Sequence, residues 1–308
     1  MTAAAARGAS TGEGTASAKV ILLGEHFVVH GVPALSLPVP TLTVRVRLSV
    51  GGGAPAPGRS EHVAACLAIC HERLGGPSPE AVTVDAAGEV PVSAGLGSSA
   101  ALAVATARAW CALAGVEPTE ARLRGVADAC ERLAHGNPSG IDVSTVLAQR
   151  PLRFVRGAGA APLPVGGGLG LLVLDSGEPG RTRETVAHVA ALREADPADW
   201  EARADLAGAL VTRGERALAA GEASELGAVM NQVHELLGGL GVSTPALEAA
   251  AAAARAAGAD GAKLTGGGGG GCVVAVCAAA ARAVVAERAA ASGARVVASF
   301  DLAPWDPA

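Results

Sequence analysis

Lysine is almost absent from this 308-residue chain: Lys19 and Lys263 are the only two, and arginine carries the remaining positive charge. The formal net charge is −5 and no stretch gathers basic residues on one face, so the sequence carries no footprint of a nucleic-acid or membrane-surface protein. Aromatic residues make up only 2%, and alanine inflates the 50% hydrophobic content. No run of about 18 apolar residues occurs, so no membrane-spanning helix is expected. The first 18 residues, MTAAAARGASTGEGTASA, lack the apolar centre of a secretory signal and read as a flexible tail. The expected compartment is the cytoplasm.

Six cysteines without a tight framework suggest reduced thiols in such a compartment. Cys66 and Cys70 stand four apart and precede His71, but nothing nearby completes a four-ligand metal set; buried helix cysteines are the expectation. His26 and His30 share the same spacing, in GEHFVVHG, without the glutamate of a zinc-protease HExxH motif. Both lysines fall within segments that carry other candidate chemistry. Where arginine is the default cation, a compact ammonium at two such places hints at a point-charge task.

What is present is a mixture of strands and helices. Residues 19–29 begin as a buried strand and break at Gly24-Glu25-His26; 41–50 alternates apolar and polar residues with the strand period. A helix is expected over about 60–74, strand over 81–93, and a helix over 98–114. Pro118-Thr119 opens another helix, whose stripe is Leu123, Val126, Ala127, Cys130, Leu133 and Ala134. The turn cluster Gly136–Gly140 stops it. The Gly/Pro/Ala-rich stretch 157–168 looks like a passage between domains, giving a tail over 1–18 and domains over 19–157 and 168–308. Beyond it come a strand at 169–175, helices near 181–194, 198–219, 222–238 and 244–257, a strand at 271–277, a helix at 279–292 and a last strand at 294–301. Helices in runs among strands indicate an α+β protein rather than a doubly wound sheet.

The run Gly95-Leu96-Gly97-Ser98-Ser99-Ala100 at the mouth of a helix is the first chemical signal. It is not a P-loop, since no lysine follows the glycines. It matches G-x-G-x-x-[G/A], but the Rossmann context also needs a parallel strand after the helix, and here a second helix follows. What remains is shared physics: backbone N–H groups at a helix N-terminus favour an anion, and serine hydroxyls can add oxygen ligands. An ordinary serine N-cap explains the run as well when it is seen alone. Glu131, on the amphipathic helix, could complete a Mg²⁺ shell with a serine hydroxyl, although a solvated helix glutamate is the commoner case. Asp142 could accept the proton of a substrate hydroxyl, or serve a Ser139-x-x-Asp142 capping box. The glycines 266–271 let backbone approach something closely; the apolar strand beside them argues against a linker.

Taken together, four segments resemble the superfamily of galactokinase, homoserine kinase, mevalonate kinase and phosphomevalonate kinase. They are KVILLGEHFVVHG (19–31), PVSAGLGSSAA (91–101), ERLAHGNPSGID (131–142) and KLTGGGGGGC (263–272). The first and third, with SGEPGRTRETV (176–186) and LGGLGVSTPALE (237–248), are most similar to the mevalonate kinase family within it. The chain departs in having Ser17-Ala18 where the family usually has Pro-Gly, and an uninterrupted glycine run where an alanine is common. The resemblance implies an N-terminal domain of the ribosomal-protein-S5 type, a ferredoxin-like C-terminal domain and a site between them. It implies ATP-dependent phosphorylation of the C5 hydroxyl of mevalonate, with phosphomevalonate or another hydroxyl of mevalonate as the alternative acceptor. By the same resemblance Asp142 is the base and Lys19 lies close to it. Gly95, Leu96, Gly97, Ser98, Ser99 and Ala100 wrap the ATP triphosphate, and Ser99 and Glu131 hold Mg²⁺. Glu25, His26, Thr182, Gly267 and Gly268 stand on the substrate side. The implied partner is a small molecule, not nucleic acid or membrane; a homodimer is left open.

Overall fold

The computed structural model describes residues 11–51, 61–136 and 138–306. The chain falls into two compact units that interleave in sequence: one of Met1–Ala18, Leu42–Val90 and Ser99–Leu147, the other of Lys19–Thr41, Pro91–Ser98 and Ala148–Ala308.

In the first unit, strand β1 (Thr11–Leu23) contributes its residues up to Ala18. Of the tail expected over 1–18, residues 1–10 lie outside the described residues, while 11–18 are strand and not tail. The stretch reads as polar because its inward positions are glycine and alanine, and they are small for a reason. A β-carbon on Gly12 would sit 2.2 Å from the Ala109 carbonyl, and one on Gly14 would sit 2.2 Å from that of Ala105. Both carbonyls belong to helix α2 (Ser98–Ala114), whose Ala100, Ala101, Ala103, Ala105, Ala107 and Ala109 are fully buried. The alanine-rich helix thus lets backbone pack on backbone. Strand β2 (Ala34–Val50) pairs antiparallel with β3 (Val82–Gly88), in register from Val44↔Gly88 to Val50↔Val82.

Helix α1 (Glu61–Leu74) packs on α3 (Glu120–His135), and Cys66, Cys70 and Cys130 are buried between them; none of the six cysteines forms a disulfide. Thr119 caps α3 by accepting from the Arg122 N–H. The buried stripe of α3 is Leu123, Val126, Ala127, Cys130 and Glu131. Leu133, expected inside, is 66% exposed, and the glutamate takes an inward place at 3%. A short helix, α4 (Ile141–Ala148), follows, fastened to α3 by a hydrogen bond of 3.1 Å from Arg124 Nη1 to Ser144 Oγ.

In the second unit, residues 34–36 of β2 pair antiparallel with β4 (Leu152–Val155), which forms a hairpin with β5 (Gly159–Pro162) inside the expected Gly/Pro/Ala passage. A four-stranded antiparallel sheet has the order β7-β8-β6-β9: β6 is Leu169–Asp175, β7 Gly261–Leu264, β8 Cys272–Ala278 and β9 Arg295–Asp301. Helices α5 (Thr182–Ala195), α6 (Pro197–Ala220), α7 (Ala223–Gly239) and α8 (Pro245–Ala256) lie between β6 and β7 in sequence, and α9 (Arg282–Ala291) lies between β8 and β9. That is a split βαβ arrangement with extra helices, the ferredoxin-like topology expected. Pro197 and Pro245 open α6 and α8 behind the capping side chains of Asp196 and Thr244. Strand β8 reads CVVAVCA because both its faces are covered: its residues 272–277 are all buried. Among the described residues no helix is long and apolar enough to cross a membrane.

Candidate active site

The expected site residues are divided between the two units. In the first, Ser99 stands in the opening turn of α2, and its Oγ lies 3.2 Å from His135 Nε2. The same nitrogen lies 3.7 Å from Glu131 Oε2, since a spacing of four on α3 puts Glu131 and His135 on one face. The hydroxyl and the carboxylate expected to hold Mg²⁺ therefore flank the same imidazole nitrogen. Both are oxygen donors of the kind magnesium prefers, and two protein ligands suffice for an ion that keeps water and phosphate oxygens, so the residues fit. No group of three or more His, Cys, Asp or Glu side chains able to hold a metal occurs among the described residues. Asp142, half-buried, lies in the first turn of α4. Ser139 Oγ accepts a hydrogen bond of 3.3 Å from the Ile141 N–H, two residues on. His135 was not singled out by the sequence reading, although its place four residues after Glu131 was visible.

In the second unit, Lys19 is buried on β1, and the loop from Pro91 to Ser98 is laid along it. Lys19 donates from Nζ to the Gly95 carbonyl (3.2 Å) and from its backbone N–H to the Leu96 carbonyl (3.0 Å). Gly97 faces the lysine stem: a β-carbon there would be 2.8 Å from Lys19 Cε. The side chains of Leu96 and Ala100 are buried, so these two expected cofactor residues can offer only backbone groups to a ligand.

The glycine run is framework, not linker. The Gly180 N–H donates to Ser93 O (2.6 Å), Arg181 N–H to Gly268 O (3.1 Å), Gly271 N–H to Glu178 O (2.7 Å) and Cys272 N–H to Ala94 O (3.0 Å). Gly95 and Gly266 touch so closely that a β-carbon on Gly266 would fall 2.6 Å from Gly95 Cα. These contacts bring the expected substrate-side residues together around Gly267. His26 Nε2 donates to the Gly267 carbonyl at 3.0 Å, and Thr182, exposed at the start of α5, flanks the Gly267 Cα. Because a carbonyl only accepts, the neutral His26 ring carries its proton on Nε2. Burial first, and Lys263 nearby, push the His26 pKa down to about 4, so the ring is neutral at pH 7. His26 also holds a left-handed backbone at φ 63°, unusual for a residue with a side chain. Glu25 is buried and ion-paired with Lys263, a partner for which the sequence reading had no role beyond the rarity of lysine.

The GHMP kinases N terminal domain matches residues 61–150, and the GHMP kinases C terminal domain matches residues 215–294. A mevalonate kinase of Aeropyrum pernix is 35% identical over 260 residues, covering 76% of this chain and 78% of that protein. One of Pyrococcus horikoshii is 33% identical over 265 residues, with coverage of 76% and 78%. Among solved structures, L. major mevalonate kinase in complex with R-mevalonate is similar with a TM-score of 0.83 and 27% identity, covering 99% of each chain. The Methanococcus jannaschii mevalonate kinase shares the fold, with a TM-score of 0.79 at 21% identity over 96% of this chain and 98% of the other. Two GHMP kinase domains in order, with relatives of that identity and coverage, place the chain: it belongs to the mevalonate kinase family of the GHMP kinases.

Proposed function

We propose that this protein transfers the γ-phosphoryl group of ATP to the C5 hydroxyl of mevalonate, giving 5-phosphomevalonate and ADP. The observation that carries the reading is the hydrogen bond from His26 to the Gly267 carbonyl. It joins GEHFVVHG, a segment that sets the mevalonate kinases apart, to the glycine run shared across the superfamily, with Thr182 alongside.

Each residue then has a task its chemistry suits. Asp142 accepts the hydroxyl proton as the new O–P bond forms and the bond to the β,γ-bridging oxygen breaks. The Lys19 ammonium lowers the pKa of that hydroxyl and offsets charge on the phosphoryl oxygens; Gly95 O and Gly97 hold its stem in place. Backbone N–H groups from Gly95 to Ala100 face the triphosphate at the N-terminus of α2. Mg²⁺, held by Ser99 and Glu131, supplies positive charge to the phosphate oxygens when bound. Glu25, His26, Thr182, Gly267 and Gly268 orient the acceptor; His26 does so as a neutral ring. A phosphorylated acceptor would call for an added cationic cluster. Arg181 and Arg183 are exposed but only two residues apart at the start of α5, a spacing that does not bring side chains together.

The test is ATP consumption with Mg²⁺ on mevalonate, 5-phosphomevalonate, homoserine and galactose, with NMR of the product. Turnover of mevalonate with phosphate on C5 is expected. Turnover of another member instead, or phosphate on C3, overturns the acceptor assignment.

A further inference from the structure

The second lysine of a chain with only two is fully enclosed. Lys263, on β7, is 0% exposed, and its three N–H donors have three acceptors: Glu25 Oε1, the Leu264 carbonyl at 2.6 Å and the Ile21 carbonyl at 3.5 Å. No donor remains with which it could reach a ligand. The next side chain but one repeats the attachment. Thr265 Oγ1 donates to the Ile21 carbonyl and accepts from the Ile21 N–H, both at 3.0 Å. The segment Lys263-Leu264-Thr265 therefore clasps β1 at Ile21, and through Glu25 it holds the turn whose next residue, His26, has φ 63° and donates to Gly267.

Glu25 is left half satisfied. Its Oε1 takes the lysine, while Oε2 is buried and has no hydrogen-bond partner among the described residues. A buried carboxylate oxygen without a donor is costly unless something completes it. Burial pushes the Glu25 carboxyl up, and Lys263 is the leading influence pulling it back down. A compact ammonium suits this enclosure better than arginine, whose planar fork needs more room and presents donors in one plane.

We propose that Lys263 is a positioning residue: without touching substrate it holds Glu25 in place as a carboxylate, with one oxygen engaged and the other kept as acceptor for a hydroxyl of the alcohol substrate. The inference rests on the reading of Glu25 as a substrate-side residue. It goes beyond that reading by giving the lysine of KLTGGGGGGC an electrostatic task.

The experiment compares wild type, Lys263→Met and Lys263→Gln. Folding is checked by circular dichroism and melting temperature, mevalonate binding is measured calorimetrically without ATP, and KM is determined for each substrate. In Lys263→Met, mevalonate affinity should fall about 10- to 100-fold while KM for ATP changes less than about threefold. Lys263→Gln, which keeps an uncharged donor for Glu25, should lose less. A folded variant that binds mevalonate as wild type does overturns the proposal. So does failure of both variants to fold, since a structural role then accounts for the lysine. Wild-type turnover is measured first: its absence retires the functional reading itself, whereas wild-type turnover with unchanged affinity in the variants retires only the role of Lys263.

Discussion

Replacing Asp142 by asparagine keeps the size of the side chain and one accepting oxygen, yet removes the group able to take a proton. The residue is half-buried in the first turn of α4, whose neighbours Ile141, Val143, Thr145 and Val146 form the packed face. Packing is therefore little disturbed. General-base catalysis contributes about 10²- to 10⁴-fold, so Asp142→Asn should lower kcat by that factor, with KM for mevalonate and the melting temperature nearly unchanged. Full activity in the variant would remove Asp142 from the role of base. Residues of this kind were legible in the sequence because their neighbours form motifs. Lys263 and His135 were less so: the first shows its task only when β7 lies beside Ile21, and the second only when α3 faces Ser99. Glu131 illustrates the reverse. Alone on a helix it reads as solvated, and its burial, with only 3% exposed, becomes visible once the packed face of α3 is known.

At the scale of elements, the loop from Pro91 to Ser98 depends on how closely it lies on β1. Gly97 has φ +68°, and a β-carbon there would meet the buried Lys19 stem at 2.8 Å. Gly115 offers an internal control: its φ is +67°, but nothing lies within 4 Å of its missing β-carbon. Gly115→Ala should therefore show the backbone penalty alone, about 1 kcal/mol, whereas Gly97→Ala adds about 1–3 kcal/mol of overpacking. Urea denaturation of the two variants measures the difference, and Gly97→Ala should also lower kcat by displacing Lys19. Equal losses would show that the loop does not press on the lysine. Elements with strong periodicity, such as α3, or with a continuous apolar run, such as β8, were read directly from sequence. Residues 11–18 were not, because a strand facing an alanine helix uses glycine and alanine inward and so has no hydrophobic alternation to detect. The hairpin β4–β5 was hidden likewise by Gly, Ala and Pro in its second strand, all four residues of which are exposed.

For the molecule as a whole, histidines shielded from solvent contribute to the response to acid. His26, His30, His62 and His234 are all held below the ordinary histidine pKa, with burial the leading cause in each. For His26 the folded value is about 4 against 6.5 for an unhindered ring. Above pH 6.5 both folded and unfolded chains keep this ring neutral, and it adds no pH dependence. Below 6.5 the unfolded chain binds a proton that the folded one refuses, so stability falls with pH until about pH 4, where the folded ring also charges. Between pH 7 and pH 5 this one residue should cost about 2 kcal/mol of unfolding free energy. Glu25 acts in the opposite sense: burial raises its pKa, so the stability it contributes is present at low pH and fades as pH rises. The total slope is thus a sum, and His26→Gln isolates one part of it. Glutamine can still donate to the Gly267 carbonyl but does not titrate. Urea unfolding at pH 7 and pH 5 should show the variant losing about 2 kcal/mol less than wild type over that interval. Parallel losses in the two proteins would mean that the His26 ring takes up a proton in the folded state, and the acceptor side of the site would then be cationic rather than neutral below pH 6.5.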